Sequence, residues 1–362
     1  MALVLLTMAG FWALGAVMRV PSRMRWVMIG FLYLAVVLAH LILPPGTGLR
    51  VATGNSAAPW LVLGGLAALG LTYGRGLAWL RARHSAKTTP PPSATLPTRF
   101  RPAELDRYAR HIMLREIGGP GQRALKDARV LVIGAGGLGA PVLLYLAGAG
   151  VGTIGVIDGD VVDNSNLQRQ VIHSDASIGM AKVFSAAQTM RALNPFIAVE
   201  CYNRRLEPNM AAALFADYDL IMDGSDNFAT RYLVNRTAVA CGKPLISAAI
   251  TQWEGQISLY DPARGGPCYQ CLFPQEPAPG TVPTCAEAGV AAPLPGVIGA
   301  MMALEAVKHL TQAGQGLRGR LMLYDGLYSE SRMIRTTARA DCPACHGQGH
   351  APENRPAPDT AV

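Results

Sequence analysis

Two pairs of cysteines have the spacing in this chain that most directly indicates chemistry. Cys268 and Cys271 form one Cys-x-x-Cys pair, and Cys342 and Cys345 form a second. Four thiolates supplied as two such pairs suit one tetrahedral Zn²⁺ ion, and we predict that these residues bind it. The alternative is a set of disulfides in an oxidising compartment. We favour zinc because a nucleotide motif precedes the pairs and the other cysteines are scattered along the chain.

A glycine-rich segment predicts a phosphate-binding turn made by Gly134, Gly136, Gly137 and Gly139. Its neighbours predict a βαβ unit with a strand at 129–133, a helix at 141–149 and a strand at 153–157. The glycines allow a tight turn in which backbone N–H groups approach a phosphate, and the helix N-terminus adds a favourable potential. Asp158 ends the second strand, where a carboxylate can bind the ribose hydroxyls.

The polar residues after Asp158 favour nucleotidyl transfer over hydride transfer. Taken alone, such a glycine turn more often indicates an NAD site. Here the next stretch also supplies Asp160, Asn166, Arg169, Gln170 and Lys182. Breaking the α–β bond of a triphosphate builds charge on the transferred phosphorus and on the leaving pyrophosphate, and fixed cations stabilise that charge. An NAD dehydrogenase would leave the Asn, the Arg and the Lys without a use.

A second carboxylate is predicted at the edge of the same sheet. Residues 219–223 read as a strand, and Asp226 and Asn227 follow it. A carboxylate at the C-terminal edge of a parallel sheet faces the ligand crevice, so Asp226 is a candidate Mg²⁺ ligand. The alternative, that Asp226 or Asn227 only caps the next helix, fits the local sequence equally well.

The first 84 residues are predicted to be a membrane region. Apolar runs at 2–18, 26–43 and 60–80 approach the length of about 20 residues that a spanning helix needs. A signal peptide is the alternative for the first run, and the lack of Lys or Arg before it argues against this. Basic residues cluster between the first two runs and after the third. The positive-inside rule then predicts a multi-pass inner-membrane protein whose catalytic part is cytoplasmic.

Composition also divides the chain. A Pro-rich linker at 85–98 and a disordered tail at 348–362 are predicted to flank one domain at 99–347. Eight of the 32 Lys and Arg residues precede residue 99, and the remaining 24 balance the 24 Asp and Glu residues, all of which follow it. The net charge of +8 therefore belongs to the membrane flanks, and we expect no nucleic-acid partner.

Together these motifs resemble a known family. From about residue 100 to residue 346 the chain resembles the MoeB/ThiF/HesA family, bacterial relatives of ubiquitin-activating enzymes, and within it the molybdopterin-synthase adenylyltransferase branch. The resemblance rests on the glycine turn, both cysteine pairs and the segments 107–110, 117–122, 166–170, 223–227, 254–256 and 284–290. It implies an α/β fold with a Rossmann-like, doubly wound, mostly parallel sheet and a zinc-bound C-terminal part, here preceded by about three transmembrane helices.

The resemblance also implies a reaction and its partners. Such enzymes use ATP and Mg²⁺ to adenylate the C-terminal glycine of a small ubiquitin-like sulfur carrier, similar to MoaD or ThiS and ending in Gly-Gly. They release pyrophosphate and serve molybdopterin or thiamine sulfur transfer. No rhodanese-like segment follows Cys345, so we expect a separate sulfur donor. A homodimer is implied because Arg110 resembles an arginine that the family inserts into the partner subunit's site.

Roles for individual residues follow from the same resemblance. Asp158 should bind the ribose, Asp226 should be the Mg²⁺-linked carboxylate, and the phosphates should be held by Asn166, Arg169 and Lys182. The four glycines, Asp160, Gln170 and Asn227 complete the predicted nucleotide contacts. Cys285 resembles a cysteine that some relatives use for a covalent step with the carrier, with a mobile loop residue of no chemical role as the alternative.

Two other functions stay open from sequence. One is an ATP-dependent dehydratase of the same family that activates a tRNA-linked carboxylate, which the neutral charge of the C-terminal part argues against. The other is an inactive, membrane-tethered scaffold that binds the carrier. The presence of Arg110, Arg169, Lys182 and Asp226 argues against it, because a scaffold needs no set of phosphate-site residues.

Overall fold

A computed structural model describes residues 2–18, 20–87, 99–277 and 288–346. The chain divides into an N-terminal unit, Met1–Pro90, and a C-terminal unit, Pro91–Val362. The predicted tail and most of the predicted linker lie outside the described residues. The first part of the linker does not, because the last helix of the N-terminal unit continues to Lys87 and includes residues 85–87.

The N-terminal unit is helical in its described parts. Its helices are α1 (Ala2–Val17), α2 (Ser22–Ile42), α3 (Gly48–Thr53) and α4 (Ala58–Lys87). Trp60 is buried at the start of α4, and its backbone carbonyl accepts a 2.7 Å hydrogen bond from the Tyr33 hydroxyl on α2. Gly64 lies beside the same ring, since a Cβ atom there would be 2.0 Å from the Tyr33 hydroxyl oxygen. Gly64 therefore lets α2 and α4 approach closely at Tyr33.

Only one of the three predicted spans satisfies both length and hydropathy in the described part of the chain. The segment Met24–Ile42 of α2 has 19 residues and a mean hydropathy of 1.9. Helix α1 has 16 residues, so at about 1.5 Å per residue it covers about 24 Å of a hydrocarbon core about 30 Å thick. Helix α4 has the length but is less apolar. One such helix near an N-terminus is equally typical of a signal sequence, so it does not by itself establish a membrane region.

The C-terminal unit is built on an eight-stranded sheet in the part of the chain described. Its strands are β1 (Arg129–Ile133), β2 (Thr153–Ile157), β3 (Ala198–Tyr202), β4 (Leu220–Asp223), β5 (Leu245–Ile250), β6 (Glu254–Tyr260), β7 (Arg320–Asp325) and β8 (Glu330–Arg335). The spatial order is β3-β2-β1-β4-β5-β6-β7-β8. The first five strands in this order are parallel and the last three pairings are antiparallel. The predicted mostly parallel α/β sheet is confirmed.

Helices cover both faces of this sheet. They are α5 (Pro102–Ile112), α6 (Gly118–Asp127), α7 (Gly139–Ala149), α8 (Lys182–Leu193), α9 (Pro208–Ala216), α10 (Phe228–Ala240), α11 (Tyr269–Leu272) and α12 (Leu294–Thr311). Val130 and Val132 of β1 pack with α6, α7, α8 and α12, whereas Leu131 and Ile133 pack with α9 and α10. Strand β1 is therefore buried on both faces, which explains why its sequence is continuously apolar.

Close backbone packing places α12 beside the glycine turn. A Cβ atom at Gly299 of α12 would lie 2.6 Å from the Leu138 carbonyl oxygen. A Cβ atom at Gly137 would lie 3.2 Å from the Pro295 side chain at the start of α12. Helices α7 and α12 thus pack closely at Gly299, and the first turn of α12 borders the predicted nucleotide site.

Candidate nucleotide site and cysteine cluster

The glycine turn connects β1 to α7 as predicted. Gly134 has a φ of 90°, a conformation that side-chain-bearing residues rarely adopt. A Cβ atom at Gly139 would lie 1.9 Å from the Gly134 carbonyl oxygen, so only glycine lets α7 start this close to the strand. Gly136 is open, with one side-chain atom within 4 Å of a would-be Cβ. The turn therefore combines a tight backbone with space for a ligand.

Asp158 lies at the C-terminal end of β2 and faces this turn. Its Oδ2 accepts a 2.8 Å hydrogen bond from the Ala135 N–H, and its Oδ1 accepts a 2.8 Å hydrogen bond from the Asp160 N–H. The carboxylate is half-buried, and a carboxylate can accept about four hydrogen bonds. It can therefore accept hydrogen bonds from ribose hydroxyls while it holds the turn.

The segment from Asn166 to His173 lies against the glycine turn. The Arg169 Cδ atom is 3.8 Å from the Cβ position of Gly137, and the Gln170 Nε2 atom is 3.7 Å from that of Gly136. Arg169 is half-buried, and its Nη1 donates a 3.1 Å hydrogen bond to the Ser165 carbonyl. Gln170 is 4% exposed, and its Oε1 has no partner among the described residues. An orphaned buried acceptor at this place fits a site that is completed by a ligand.

The Asn166 side chain makes only local contacts in this structure. Its Oδ1 lies 3.4 Å from the Asp163 N–H, and its Nδ2 lies 3.4 Å from the Ser165 hydroxyl. Both distances are long for hydrogen bonds. The Asn166 side chain therefore makes no strong hydrogen bond among the described residues and can still make the predicted phosphate contact.

Lys182 begins α8, and its side chain is held beside Asp160, two residues after Asp158. Its Nζ lies 3.1 Å from Asp160 Oδ2, while its backbone N–H donates to the Asp160 carbonyl at 3.0 Å. Lys182 is buried and Asp160 is exposed. A more exposed cation, Arg205, lies 3.8 Å from the same carboxylate. Asp160 therefore holds the lysine in position, a role that its sequence position did not reveal.

The end of β4 presents Asp226 next to the turn. A Cβ atom at Gly134 would lie 3.2 Å from the Gly224 carbonyl oxygen and 3.7 Å from the Ser225 nitrogen. Asp226 itself is exposed and has no hydrogen bond or ion pair with any residue that the structure describes. Asn227 caps α10, because its Oδ1 accepts a 2.9 Å hydrogen bond from the Thr230 N–H. The capping alternative is therefore confirmed for Asn227, and the Mg²⁺ role of Asp226 stays a prediction.

A buried polar network fixes the loop that carries Asp226. Asp223 is 1% exposed, and its Oδ1 accepts from the Ser225 N–H at 2.9 Å and from the Ser225 hydroxyl at 2.6 Å. Its Oδ2 accepts from the Ser247 hydroxyl at 2.9 Å and lies 3.9 Å from Arg231. Arg231 also donates to the Ser225 carbonyl at 2.6 Å. Sequence reasoning gave this network no role because its members lie on three separate elements.

Two predicted residues are not brought into the site by the described chain. Arg110 lies on α5, is exposed and has no polar partner among the residues described. This leaves it available to a second subunit but does not place it there. Cys285 lies in the stretch 278–287, outside the described residues.

The four paired cysteines meet as predicted. Their Sγ atoms all lie within 4.8 Å of one another, and all four residues are buried. Cys268 Sγ is 3.7 Å from Cys271 Sγ and 3.5 Å from Cys342 Sγ, while Cys271 Sγ is 3.5 Å from Cys345 Sγ. Tetrahedral Zn–S bonds of about 2.3 Å require S···S separations of about 3.8 Å. The cluster therefore fits a Zn²⁺ ion with little adjustment.

N–H groups around the cluster point at sulfur. The Arg339 backbone N–H donates to Cys271 Sγ at 3.4 Å, and the Asn235 side-chain amide donates to Cys268 Sγ at 3.8 Å. Asn235 also accepts from the Tyr269 N–H at 2.9 Å, which fixes its orientation. Burial raises the pKa of Cys345, and a bound cation would oppose this by favouring the thiolate.

A cavity of about 350 Å³ opens on the antiparallel half of the sheet. Its lining includes Thr251, Glu254, Gln256, Asp325 and Arg332. Strands β4 and β5 run parallel, and β6 starts where β5 ends, so the cavity lies on the same edge of the sheet as Asp226. Neighbouring loops are tied to the start of α12 by the Ala291 N–H, which donates to the Gln252 carbonyl at 2.9 Å. The cavity and the glycine turn thus border the same helix end.

Comparison with known proteins agrees with this arrangement. The family model described as the ThiF family matches residues 108–344. Over 251 residues the chain is 48% identical to the sulfur carrier protein adenylyltransferase of Thermus thermophilus, covering 68% of this chain and 93% of that one. It is 51% identical over 258 residues to the probable adenylyltransferase/sulfurtransferase MoeZ of Mycobacterium tuberculosis, covering 69% of this chain and 65% of that one. It is also 47% identical over 246 residues to the SAMP-activating enzyme E1 of Haloferax volcanii, covering 68% and 90%.

Solved structures share the fold at lower identity. A crystal structure of Escherichia coli MccB with MccA-N7isoASN superposes with a TM-score of 0.60 at 23% identity, covering 69% of this chain and 76% of that one. A crystal structure of PaaA superposes with a TM-score of 0.58 at 23% identity, covering 73% and 83%. At this level of identity the likeness concerns the fold alone.

Proposed function

This chain belongs to the ThiF family, and we propose that it is an ATP-dependent adenylyltransferase. Its substrate would be the C-terminal glycine carboxylate of a small ubiquitin-like sulfur carrier ending in Gly-Gly, from a molybdopterin or thiamine pathway. The observation that carries the proposal is that the elements bearing Arg169, Lys182 and Asp226 all adjoin one glycine turn, with α8 linked to it through His173. The names of the relatives from Thermus and Mycobacterium support the same reaction.

ATP binding would use the groups that surround the turn. Its ribose hydroxyls would donate to the free lone pairs of Asp158, and its phosphates would accept from backbone N–H groups of the turn. Arg169 has one internal hydrogen bond, which leaves most of its five donors for phosphate oxygens. Lys182 supplies a second cation from the first turn of α8.

In the reaction, a carboxylate oxygen of the carrier attacks the α-phosphorus of ATP. The bond from that phosphorus to the bridging oxygen breaks, and pyrophosphate leaves with the bonding electrons. Arg169 and Lys182 would stabilise the charge that develops on the transferred group and on the leaving group. A bound Mg²⁺ would neutralise further phosphate charge, and the exposed Asp226 carboxylate is the group that would hold it.

The cavity beside β5 and β6 is proposed to receive the carrier's C-terminal segment. It lies on the same sheet edge as Asp226, so an extended tail placed there could reach the α-phosphate. Glu254 and Gln256 in its lining can accept hydrogen bonds from the backbone N–H groups of an extended tail, while the terminal carboxylate of the tail would lie beyond the cavity, at the phosphates. The cysteine cluster would hold a structural Zn²⁺, since four protein ligands leave no open position for a substrate.

A pyrophosphate-exchange assay tests the reaction. The full chain in detergent is incubated with ATP, Mg²⁺ and labelled pyrophosphate, with and without purified carriers ending in Gly-Gly. Exchange that depends on the carrier is the expected result, and Asp226→Ala should abolish it while ATP still binds. Asp217→Ala is the matched control, because Asp217 is another exposed aspartate but lies before β4, at the opposite edge of the sheet. Tight ATP binding without exchange for any carrier would favour the inactive scaffold instead.

We also propose that the N-terminal unit anchors the enzyme at the inner membrane with three crossings. Helix α2 has the required length and hydropathy. If α2 alone crossed, the basic clusters at the N-terminal end of α2 and at the C-terminal end of α4 would lie on opposite sides, against the positive-inside rule. Crossings by α1 and α4 as well put both clusters, and the ATP-dependent unit, on the cytoplasmic side.

Reporter fusions distinguish these topologies. Alkaline phosphatase, which is active only outside the cytoplasm, would be fused after Gly54 in the loop between α2 and α4, and separately after residue 99. High activity at the first site and none at the second is expected. Equal activity at both sites would show that α4 does not cross.

Two further features of the mechanism are proposals drawn from the family. Arg110 would enter the site of a second subunit, which makes the enzyme a homodimer. Sulfur would come from a separate donor protein after adenylation. Mixing Arg110→Ala with Asp226→Ala tests the first point, because mixed dimers would regain one intact site and therefore some activity.

A further inference from the structure

His173 joins three elements of the nucleotide site although its sequence position predicts no chemistry. Its Nε2 lies 2.9 Å from the Ala135 carbonyl oxygen in the glycine turn, and its Nδ1 lies 2.9 Å from the Ser185 hydroxyl on α8. His173 is 8% exposed. Its own segment supplies Arg169, and α8 begins with Lys182. One imidazole therefore touches the turn and the helix that bears one predicted phosphate cation, and it follows the other cation by four residues.

The hydrogen bonds define the tautomer of His173. A carbonyl oxygen can only accept, so Nε2 carries the proton and donates to Ala135. The neutral ring then accepts from the Ser185 hydroxyl at Nδ1. Burial is the largest influence on this ring and lowers its pKa. The hydrogen bond to the Ala135 carbonyl raises it, the cation of Lys182 lowers it and Asp158 raises it, and the net direction is downward. The imidazole is therefore held neutral in the orientation that donates to the turn.

Two hydrogen bonds fix successive peptide groups of the turn. Asp158 accepts from the N–H of Ala135, and His173 donates to the carbonyl of the same residue. In a planar trans peptide the C=O and the next N–H point in opposite directions. Holding the Ala135 carbonyl toward His173 therefore directs the Gly136 N–H away from His173. Gly136 is the residue of the turn beside which a ligand has room.

The same segment meets the turn in reverse order. Arg169 lies beside Gly137, Gln170 beside Gly136 and His173 beside Ala135. The His173 N–H donates to the Gln170 carbonyl at 3.0 Å, so the ring and the two upstream side chains belong to one folded segment. Among the described contacts between this segment and the turn, the hydrogen bond from the His173 ring to the Ala135 carbonyl is the only hydrogen bond. Ile172 of this segment is held separately, because it is buried in the core and its carbonyl accepts a 2.8 Å hydrogen bond from the Thr189 hydroxyl. Losing the His173 hydrogen bond should therefore loosen the contact of Arg169 with the turn without releasing the whole segment.

We propose that His173 is a positioning residue for nucleotide binding: it orients the Gly136 N–H toward the phosphates and docks the Arg169 segment and α8 on the turn. This inference rests on the proposed function for its choice of ligand, a nucleoside triphosphate. Its contribution acts through ATP affinity rather than through direct contact with reacting atoms. It therefore differs from the roles of Arg169, Lys182 and Asp226.

Three substitutions at His173 separate the two hydrogen bonds. A glutamine amide N–H can replace Nε2 as the donor to the Ala135 carbonyl. An asparagine side-chain oxygen can replace Nδ1 as the acceptor from the Ser185 hydroxyl. ATP binding to the full chain in detergent would be measured by calorimetry. We expect His173→Ala and His173→Asn to weaken ATP binding about tenfold, and His173→Gln to stay within about threefold of the wild type. Ser185→Ala should have an intermediate effect, because it leaves the donor to Ala135 intact.

His309→Gln is the matched control. His309 lies on α12 and is half-buried, and burial lowers its pKa as it does that of His173. Its charged neighbours are Asp261 and Arg318, however, and it is not at the turn. Its replacement should lower thermal stability without changing ATP affinity. The inference fails if His173→Asn binds ATP as well as His173→Gln, or if His173→Ala lowers the melting temperature with no loss of ATP affinity. Absent pyrophosphate exchange with intact ATP binding would count against the proposed function only, since this test uses binding.

Discussion

The cysteine cluster and the nucleotide edge are built on opposite principles. The cluster is closed: four buried sulfurs lie within 4.8 Å of one another, and nearby N–H groups point at two of them. The nucleotide edge is open: Asp226 is exposed, Gln170 Oε1 has no partner among the described residues, and Arg169 makes one hydrogen bond. A structural site satisfies its ligands within the chain, whereas a reactive site leaves hydrogen-bonding capacity for its substrate. Substitutions in the cluster should therefore lower stability, whereas substitutions at the nucleotide edge should lower activity.

Loss of the metal should have the largest effect, and on stability. Cys268→Ala should release Zn²⁺ and lower the free energy of unfolding by about 5 kcal/mol or more, because structural zinc binding supplies folding energy. Metal content and chemical denaturation of the purified protein measure this. Cys241→Ala, at a partly exposed thiol outside the cluster, should change neither. Unchanged zinc content in Cys268→Ala would show that these sulfurs are not the ligands.

Breaking the buried network under Asp226 should have the next largest effect, and it should lower both stability and pyrophosphate exchange. Arg231→Met leaves the Asp223 carboxylate buried without its cation, at a cost of about 3 kcal/mol in stability. It also frees the Ser225 carbonyl, so pyrophosphate exchange should fall as well. Denaturant unfolding and exchange would be measured on the same preparation. Full stability in Arg231→Met would contradict the buried ion pair.

Removing a phosphate cation should affect activity alone. Lys182→Met should lower exchange about 100-fold, which corresponds to about 2.7 kcal/mol of transition-state stabilisation. Stability should change by less than about 1 kcal/mol, since the partner Asp160 is exposed and can be solvated. Comparing steady-state exchange with denaturation tests both statements. Asp160→Asn, which keeps the lysine but removes its ion-pair partner, is the milder companion variant.

The smallest effect concerns pH. The lowered pKa of His173 means that its contribution to stability is complete above its ordinary pKa of about 6.5 and is lost as the pH falls from there through the lowered folded value. Lys182 and Asp158 are the charged groups that act on this ring. His173→Gln should therefore lose less stability than the wild type between pH 7.5 and pH 5.5, by about 1 kcal/mol.

His309 must be separated from this effect. Its pKa is also lowered, so it gives the wild type a second loss of stability in the same direction. Urea unfolding of His173→Gln, His309→Gln and the double variant at both pH values divides the two contributions. An identical pH dependence in His173→Gln and the wild type would mean that His173 is not held neutral.

The local sequence was sufficient to predict an element or a site wherever one short segment contains the pattern that defines it. Strands 129–133 and 153–157 were predicted with their observed bounds because each is an apolar run stopped by Gly134 or by Asp158. The sulfur cluster was predictable because Cys-x-x-Cys spacing already brings two ligands together. The three-span prediction was less successful, since an apolar run does not show that a helix is long and apolar enough, as α1 and α4 demonstrate.

The sequence by itself determined the chemical inventory of this protein: a glycine turn, an acid at the end of β2, cations downstream and two pairs of thiols. Only the tertiary structure decided which groups act on one another. It placed Asp160 on Lys182, Asp223 on Arg231 and His173 between Ala135 and Ser185. The physical reason is that hydrogen bonds and ion pairs depend on distances of about 3 Å. Sheet order and helix packing set such distances between residues far apart in the chain, and no local pattern encodes them.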